Sequence, residues 1–312
     1  MKIVVTGARG FVGKALCKAL RDRGDQLIAT VRAQPDASEV AVGDIHGATD
    51  WSLALQGANA VIHLAARVHV MSDTEEDPLR AYREVNLHGT LNLARQAAAA
   101  GVKRFIFVSS VKVNGESTSM RPFTALDAAA PIDPYGLSKS EAETALHELH
   151  RKTGMEIVVV RPPLVYGPGV KANFLNLIKA VEKGIPLPLG KATGRRSMVA
   201  LDNLVDLLIL CLHHPAAAGG TFLVSDGVDL TVKELVVMIA QAMDKPPRLL
   251  PVPVGLMRGA ATLLGKGAVA DRLLGSLQVD IKHTRQRLEW NPLISPQLAI
   301  GQAVKHFLAN KG

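Results

Sequence analysis

The opening stretch constrains this chain more than any other. Ile3, Val4 and Val5 form a short apolar run that stops at Thr6 and breaks into Gly7, Ala8, Arg9, Gly10, Phe11, Val12, Gly13. The amphipathic run Phe11 to Leu20 follows, so the pattern predicts a strand, a glycine turn and a helix start. Glycines at GxxGxxG spacing let the backbone turn sharply, approach an anion closely and pack the new helix on the strand. The free N–H groups of that helix then face a pyrophosphate, which predicts a bound dinucleotide.

With 312 residues and 48% hydrophobic content, the chain has the material for one large α/β domain and a smaller companion. Cys17 and Cys211 lie inside apolar helical patterns, where cysteine is an inert packing residue, and this suggests a reducing compartment. The glycine turn cuts the apolar stretch after Val5, which argues against a signal peptide, and no apolar run nears the roughly 18 residues of a membrane span. A cytoplasmic location is the expectation. The net charge of +8 is scattered, and aromatics make up only 4%, too few to interleave stacking platforms with positive charge as a nucleic-acid surface requires. An anionic cofactor and substrate account for the sign, and no metal-ligand pattern is expected.

Along the chain, Gln26 to Val31 reads as the second strand. Its end is where an acidic residue would bind the adenosine ribose hydroxyls, but Thr30, Val31 and Arg32 stand there instead. With Arg9 in the glycine loop, the two arginines either grip a 2′-phosphate or are solvated surface charges. Val40 to Val42 and Asn59 to Leu64 read as strands three and four. Asp44 accepts a hydrogen bond from the adenine amine or is a plain turn residue, and Ala65 and Ala66 leave room for the cofactor. Pro78 to Ala100 reads as one long helix closed by Gly101. Its Asn86 either ties strand ends together beneath the cofactor or faces solvent.

Lys103 to Ser109 reads as the fifth strand, delivering Ser109 and Ser110 to its carboxyl end, where ligands of parallel sheets bind. Asp133 and Pro134 then cap a helix that carries Tyr135 and Lys139 at i and i+4 on one face. An ammonium so placed can lower a phenol's pKa from its usual value of about 10. Glu156 to Arg161 reads as the sixth strand, and Pro162 and Pro163 prevent a helix from starting at once. Beyond Tyr166 strand signals are sparse. The fold expected is a Rossmann-type doubly wound parallel sheet, 1–165 with 198–225 rejoining it, and a smaller, mostly helical substrate lid, 166–197 and 226–312. Met198 to Cys211 is expected as a helix and Thr221 to Val224 as a strand.

These motifs resemble the extended short-chain dehydrogenase/reductase family, in particular its NAD-dependent epimerase/dehydratase branch acting on nucleotide sugars. The likeness covers TGARGFVG at 6–13, GDI at 43–45, HLAA at 63–66, NLHGT at 86–90, VSSVKVNG at 108–115, YGLSK at 135–139, RPPLVYGPG at 161–169 and RLEWNP at 287–292. It implies Ser110 and Tyr135 as catalytic residues and Lys139 as ribose anchor and pKa modulator. The cofactor-binding set it implies is Gly7, Arg9, Gly10, Phe11, Val12, Gly13, Arg32, Asp44, Ile45, Leu64, Ala65, Ala66, Asn86, Tyr135, Lys139 and Pro162. Substrate contacts fall to Ser110, Asn173, Arg196 and Arg272, the last three at the nucleotide diphosphate. Val111 and Lys112 stand where the 4,6-dehydratases carry an Asp-Glu pair, which disfavours dehydration.

The segments SSVKVNGE and PFTALD, with the short lid, look most like bacterial 4-ketoreductases that complete UDP-linked 6-deoxy-N-acetylhexosamines for surface polysaccharides. The expectation is therefore reduction of a C4 ketone by NAD(P)H, with NADPH favoured over NADH, in a homodimer. A UDP-hexose 4-epimerase with retained NAD uses the same three residues and is the alternative. A non-catalytic NAD(P)-binding regulator is the third reading, since the fold supports binding without chemistry.

Overall fold

The computed structural model describes residues 1–68, 76–263, 265 and 267–311, without the side chains of residues 268, 269 and 272. Strands β1 (Lys2–Thr6), β2 (Gln26–Val31), β3 (Glu39–Ala41), β4 (Ala60–His63), β5 (Arg104–Val108) and β6 (Glu156–Arg161) alternate with helices α1 (Phe11–Asp22), α2 (Ser52–Leu55), α3 (Pro78–Arg83), α4 (Thr90–Ala99) and α5 (Pro134–Thr153). There follow β7 (Leu164–Tyr166), α6 (Ala172–Glu182), β8 (Arg195–Arg196), β9 (Met198–Ala200), α7 (Leu201–His213) and β10 (Thr221–Leu223). The chain ends with β11 (Leu230–Thr231), α8 (Val232–Gln241), α9 (Val254–Leu263), α10 (Gly267–Leu274), α11 (Lys282–Leu288) and α12 (Pro296–Ala309).

Seven strands form one sheet in the order β3-β2-β1-β4-β5-β6-β10, and every pairing in it is parallel. A parallel sheet covered on both faces needs nearly continuous apolar strands, which the IVV of β1 and the IVVV of β6 supply. The two-residue period of a strand then divides them. Ile3 and Val5 pack with Leu16 and Leu20 of α1 and Leu204 and Leu208 of α7. Val4 packs on the opposite face with Leu93 of α4 and Leu146 of α5. This is the Rossmann-type doubly wound architecture.

A third apolar cluster joins Tyr166, Phe174 and Ile178 to Leu235 and Ile239 of α8 and Ile300 and Val304 of α12. Three sequence expectations change at this level. Pro78 to Ala100 is not a single α-helix: Glu84–Gly89 form a π-helical turn between α3 and α4. Met198–Ala200 is a strand, paired with β7 in a separate two-stranded sheet, and the helix starts only at Leu201. Residues 277–290, assigned to the lid, pack instead into the sheet-side core through Leu277, Leu288 and Trp290. Two bonds fix them there, Trp290 Nε1 to Asp206 at 2.7 Å and Thr284 Oγ1 to the Leu223 carbonyl at 2.6 Å.

Candidate active site

The glycine loop starts where β1 ends. Gly7 turns at φ +68°, and a Cβ there would meet the Ala65 backbone N at 2.9 Å. A Cβ on Gly13 would meet the Gly7 carbonyl at 2.1 Å, so α1 can sit this close to β1 only with glycine at that position. Gly10 caps α1 without any side-chain hydrogen bond, leaving the first-turn N–H groups to an external anion. Above the loop lies a cleft of about 1000 Å³, and every cofactor position expected from Gly7 to Ala66 lines it. The backbone cradle and the unpaired helix start fit a dinucleotide pyrophosphate.

Beneath the loop is a buried chain that sequence reasoning missed. Thr6 Oγ1 and His63 Nδ1 are 2.6 Å apart, His63 Nε2 and Thr90 Oγ1 are 2.9 Å apart, and the Ala65 N–H donates to Thr6 Oγ1 at 3.1 Å. Burial, reinforced by the charge of Lys139, pushes the His63 pKa down to about 3, so the imidazole stays neutral. The HLAA motif was the available signal, but its alanines drew the attention rather than its histidine.

Asn86 does not face solvent, and its bonds run from the segment after β4 to α5 rather than between strand ends. Fully buried, its Oδ1 accepts from the Arg67 N–H at 2.9 Å, and its Nδ2 donates to the Arg67 carbonyl and to Ser138 Oγ, both at 3.0 Å. The cleft wall after β4 is thereby joined to α5. That helix starts as expected: Asp133 accepts from the Gly136 N–H at 2.7 Å, and Pro134 takes the first helical position.

Ser110 emerges from β5 as the sheet pairing continues past the strand ends, with Ser109 N–H bonded to the Val160 carbonyl and Val111 N–H to the Pro162 carbonyl. Lys139 is 1% exposed, donates to the Val108 carbonyl at 2.9 Å and lies 4.3 Å from the Phe107 ring centroid. Burial pushes its pKa down to about 7, against the pull of Glu143. The expected depression of the tyrosine is absent. Burial raises the Tyr135 phenol to about 12, and a hydrogen bond from Ser110 only partly opposes this. The physical reason is that the Lys139 ammonium is directed at a carbonyl and is itself desolvated.

Around this centre runs a second missed network. Glu143, one turn beyond Lys139, receives Arg161 Nε at 3.0 Å, Arg161 Nη2 at 2.5 Å and Ser109 Oγ at 2.5 Å. Arg161 also reaches Asn114 Oδ1 at 3.1 Å. The Arg161 and Glu143 side chains are 8% and 4% exposed. Lys112, at the place of the dehydratase acids, is ion-paired to Asp133 and to Glu116.

The arginines expected at a 2′-phosphate are both engaged. Arg9 pairs with Glu39, and Arg32 Nε lies 2.7 Å from Asp44 in a pair open to water. On the C-terminal side, Asn173 is exposed near the start of α6, and Arg196 on β8 is half-buried, donating to the Gly275 carbonyl at 3.2 Å. The side chain of Arg272 lies outside the described residues. Among those residues no group of three His, Cys, Asp or Glu side chains could hold a metal, and no helix is long and apolar enough to cross a membrane. Cys17 and Cys211 are buried free thiols.

Known proteins bear on this site. The chain is 50% identical to the UDP-glucose 4-epimerase of Vibrio cholerae over 312 residues, covering 98% of this chain and 95% of that one. It is 30% identical to N-acetyl-alpha-D-glucosaminyl-diphospho-ditrans,octacis-undecaprenol 4-epimerase of Escherichia coli O157:H7 over 82% of this chain and 77% of the relative. Its fold matches UDP-glucuronic acid 4-epimerase from Bacillus cereus in complex with NAD, at 21% identity and TM-score 0.79 over 99% of both chains. Residues 3–225 match the NAD dependent epimerase/dehydratase family, and to that family this chain belongs.

Proposed function

We propose that the chain is a UDP-hexose 4-epimerase that retains its NAD. The reading is carried by the full-length likeness to the Vibrio cholerae UDP-glucose 4-epimerase, and the grouping of Ser110, Tyr135 and Lys139 around one buried network supports it. Lys112 in its ion pairs leaves no Asp-Glu pair beside Ser110 for an elimination. The 4-ketoreductase expected from SSVKVNGE uses the same residues, and the likeness at 50% identity favours the epimerase over it.

A bound NAD would supply a hydride acceptor, and then a hydride donor, for C4. Tyr135 Oη carries the proton of the C4 hydroxyl, and Ser110 Oγ hydrogen-bonds the same oxygen. A phenol at about 12 is held protonated, ready to donate; accepting a proton requires the phenolate, which the Ser110 hydrogen bond favours. Lys139 anchors the cofactor ribose and, when charged, adds to that stabilisation. Inversion at C4 also requires the sugar to present both faces, so binding must grip the nucleotide and leave the hexose free to turn. That grip is assigned to Asn173 and Arg196, with Arg272 as a third contact.

The test is to incubate dialysed protein with UDP-glucose and no added cofactor, following UDP-galactose by proton NMR. Conversion without added nicotinamide is the expected result. Turnover only on a 4-keto sugar, with stoichiometric consumption of NAD(P)H, would establish the reductase instead.

A further inference from the structure

The acid missing from the end of β2 has a counterpart one strand further out. Glu39 is the first residue of β3, in register with Ala29 of β2, and its side chain is only 10% exposed. Its carboxylate takes Arg9 in a two-pronged pair, Nη2 to Oε2 at 2.5 Å and Nε to Oε1 at 3.2 Å. The Asp36 N–H donates to the same carboxylate at 3.0 Å, and Arg9 Nη2 also donates to the Gln34 carbonyl at 2.8 Å. Asp36 itself stands 3.7 Å from Arg9. The guanidinium of the glycine loop is therefore fixed by three groups from the turn and strand that follow β2.

The neighbouring pair differs. Arg32 and Asp44 have side chains 81% and 75% exposed, and an ion pair so open to water holds its geometry weakly and exchanges partners readily. Arg32 is thus available to any anion in the cleft, whereas Arg9 is not. A 2′-phosphate reaching Arg9 would have to displace Glu39 and leave that carboxylate, nine-tenths covered, facing a dianion. A ribose 2′-hydroxyl meets no such repulsion. Selectivity can come from a penalty on the wrong ligand as well as from a contact to the right one.

We propose that Glu39 is a specificity-determining residue for the dinucleotide: by pairing Arg9 it withdraws one of the two arginines that the sequence offers to a 2′-phosphate, and so weakens NADP relative to NAD. This rests on a dinucleotide occupying the cleft, as in the family, and is independent of which sugar is turned over.

The experiment first strips the retained dinucleotide with charcoal, reloads the protein with NADH and measures displacement of its fluorescence by NAD⁺ and by NADP⁺, with no sugar present. In the wild type NADP⁺ should compete at least about tenfold less well, the scale of one charge-assisted hydrogen bond. Glu39→Gln should improve NADP⁺ about tenfold while NAD⁺ stays within about threefold. Arg9→Met combined with Glu39→Gln should not show that gain, because the guanidinium that Glu39→Gln releases is then absent. A wild type that takes both equally, or a Glu39→Gln protein that binds NADH with its ratio unaltered, would overturn the proposal. So would a doubly substituted protein that keeps the gain in NADP⁺, and Glu39→Ala gives the same comparison if Glu39→Gln does not fold.

Discussion

Lys139, Glu143 and Arg161 on the catalytic side are almost fully buried and hydrogen-bonded, whereas Asn173 and Arg196, assigned to the sugar nucleotide, stand exposed and half-buried. The Val108 carbonyl accepts from Lys139, Ser109 donates to Glu143, and Asn114 accepts from Arg161. Proton transfer tolerates little positional error, so its groups are held by a network built before any ligand arrives. A grip that must admit and release a nucleotide is better left open to water. The difference predicts that substitutions at the first site change rate or folding, and those at the second change affinity alone.

The largest effect should come from Tyr135→Phe. The ring stays and only the hydroxyl is lost, so turnover should fall by about 10²–10⁴, the usual contribution of a positioned proton donor. NADH affinity should hold within a few fold. Single-turnover rates and cofactor titration measure both, and a variant retaining more than about a tenth of the rate would remove Tyr135 from the chemistry.

Arg161→Met tests the network rather than the proton. It leaves the Glu143 carboxylate buried beside Ser109 without its cation, and breaking a buried pair this way costs about 3–5 kcal/mol. Equilibrium denaturation should show that loss. Adding Glu143→Gln should recover part of it, since the stranded charge is then gone. A single-variant loss below about 1 kcal/mol would mean that water or a neighbour takes over from the guanidinium, and the contrast between the two sites would weaken accordingly.

What the sequence disclosed follows from how local each feature is. The limits of β6 were legible to the residue, because an Ile/Val run is bounded by Gly154 and Pro162, and the start of α5 was legible because Asp133 and Pro134 are capping chemistry. The π-helical turn at Glu84–Gly89 was not, since one extra residue per turn barely disturbs an apolar face read over several turns. Met198–Ala200 was absorbed into the next helix because three apolar residues fit either period. The functional pairs were the least legible. Arg9 with Glu39 and Arg161 with Glu143 are joined by topology, 30 and 18 residues apart, and nothing in the local pattern of either segment names its partner. The spacing of Tyr135 and Lys139 was legible but their burial was not, and burial is what raises the Tyr135 phenol.

The smallest effect, and the one that best isolates the open site, is expected from Arg196→Ala. The guanidinium is assigned to the nucleotide diphosphate, and its loss removes a charge-assisted hydrogen bond of about 1.5–3 kcal/mol, which corresponds to a roughly 10- to 150-fold weaker grip. Calorimetric titration with free UDP reads this directly, without depending on the reaction. Arg196 is half-buried and donates to the Gly275 carbonyl, so unfolding free energy should also drop, by about the 1 kcal/mol of an ordinary hydrogen bond. Cofactor affinity should not move, since Arg196 is not among the residues that line the dinucleotide cleft. If UDP binds the variant as tightly as the wild type while stability falls, Arg196 is a brace for the segment at Gly275, and the nucleotide must be held by other groups on that side.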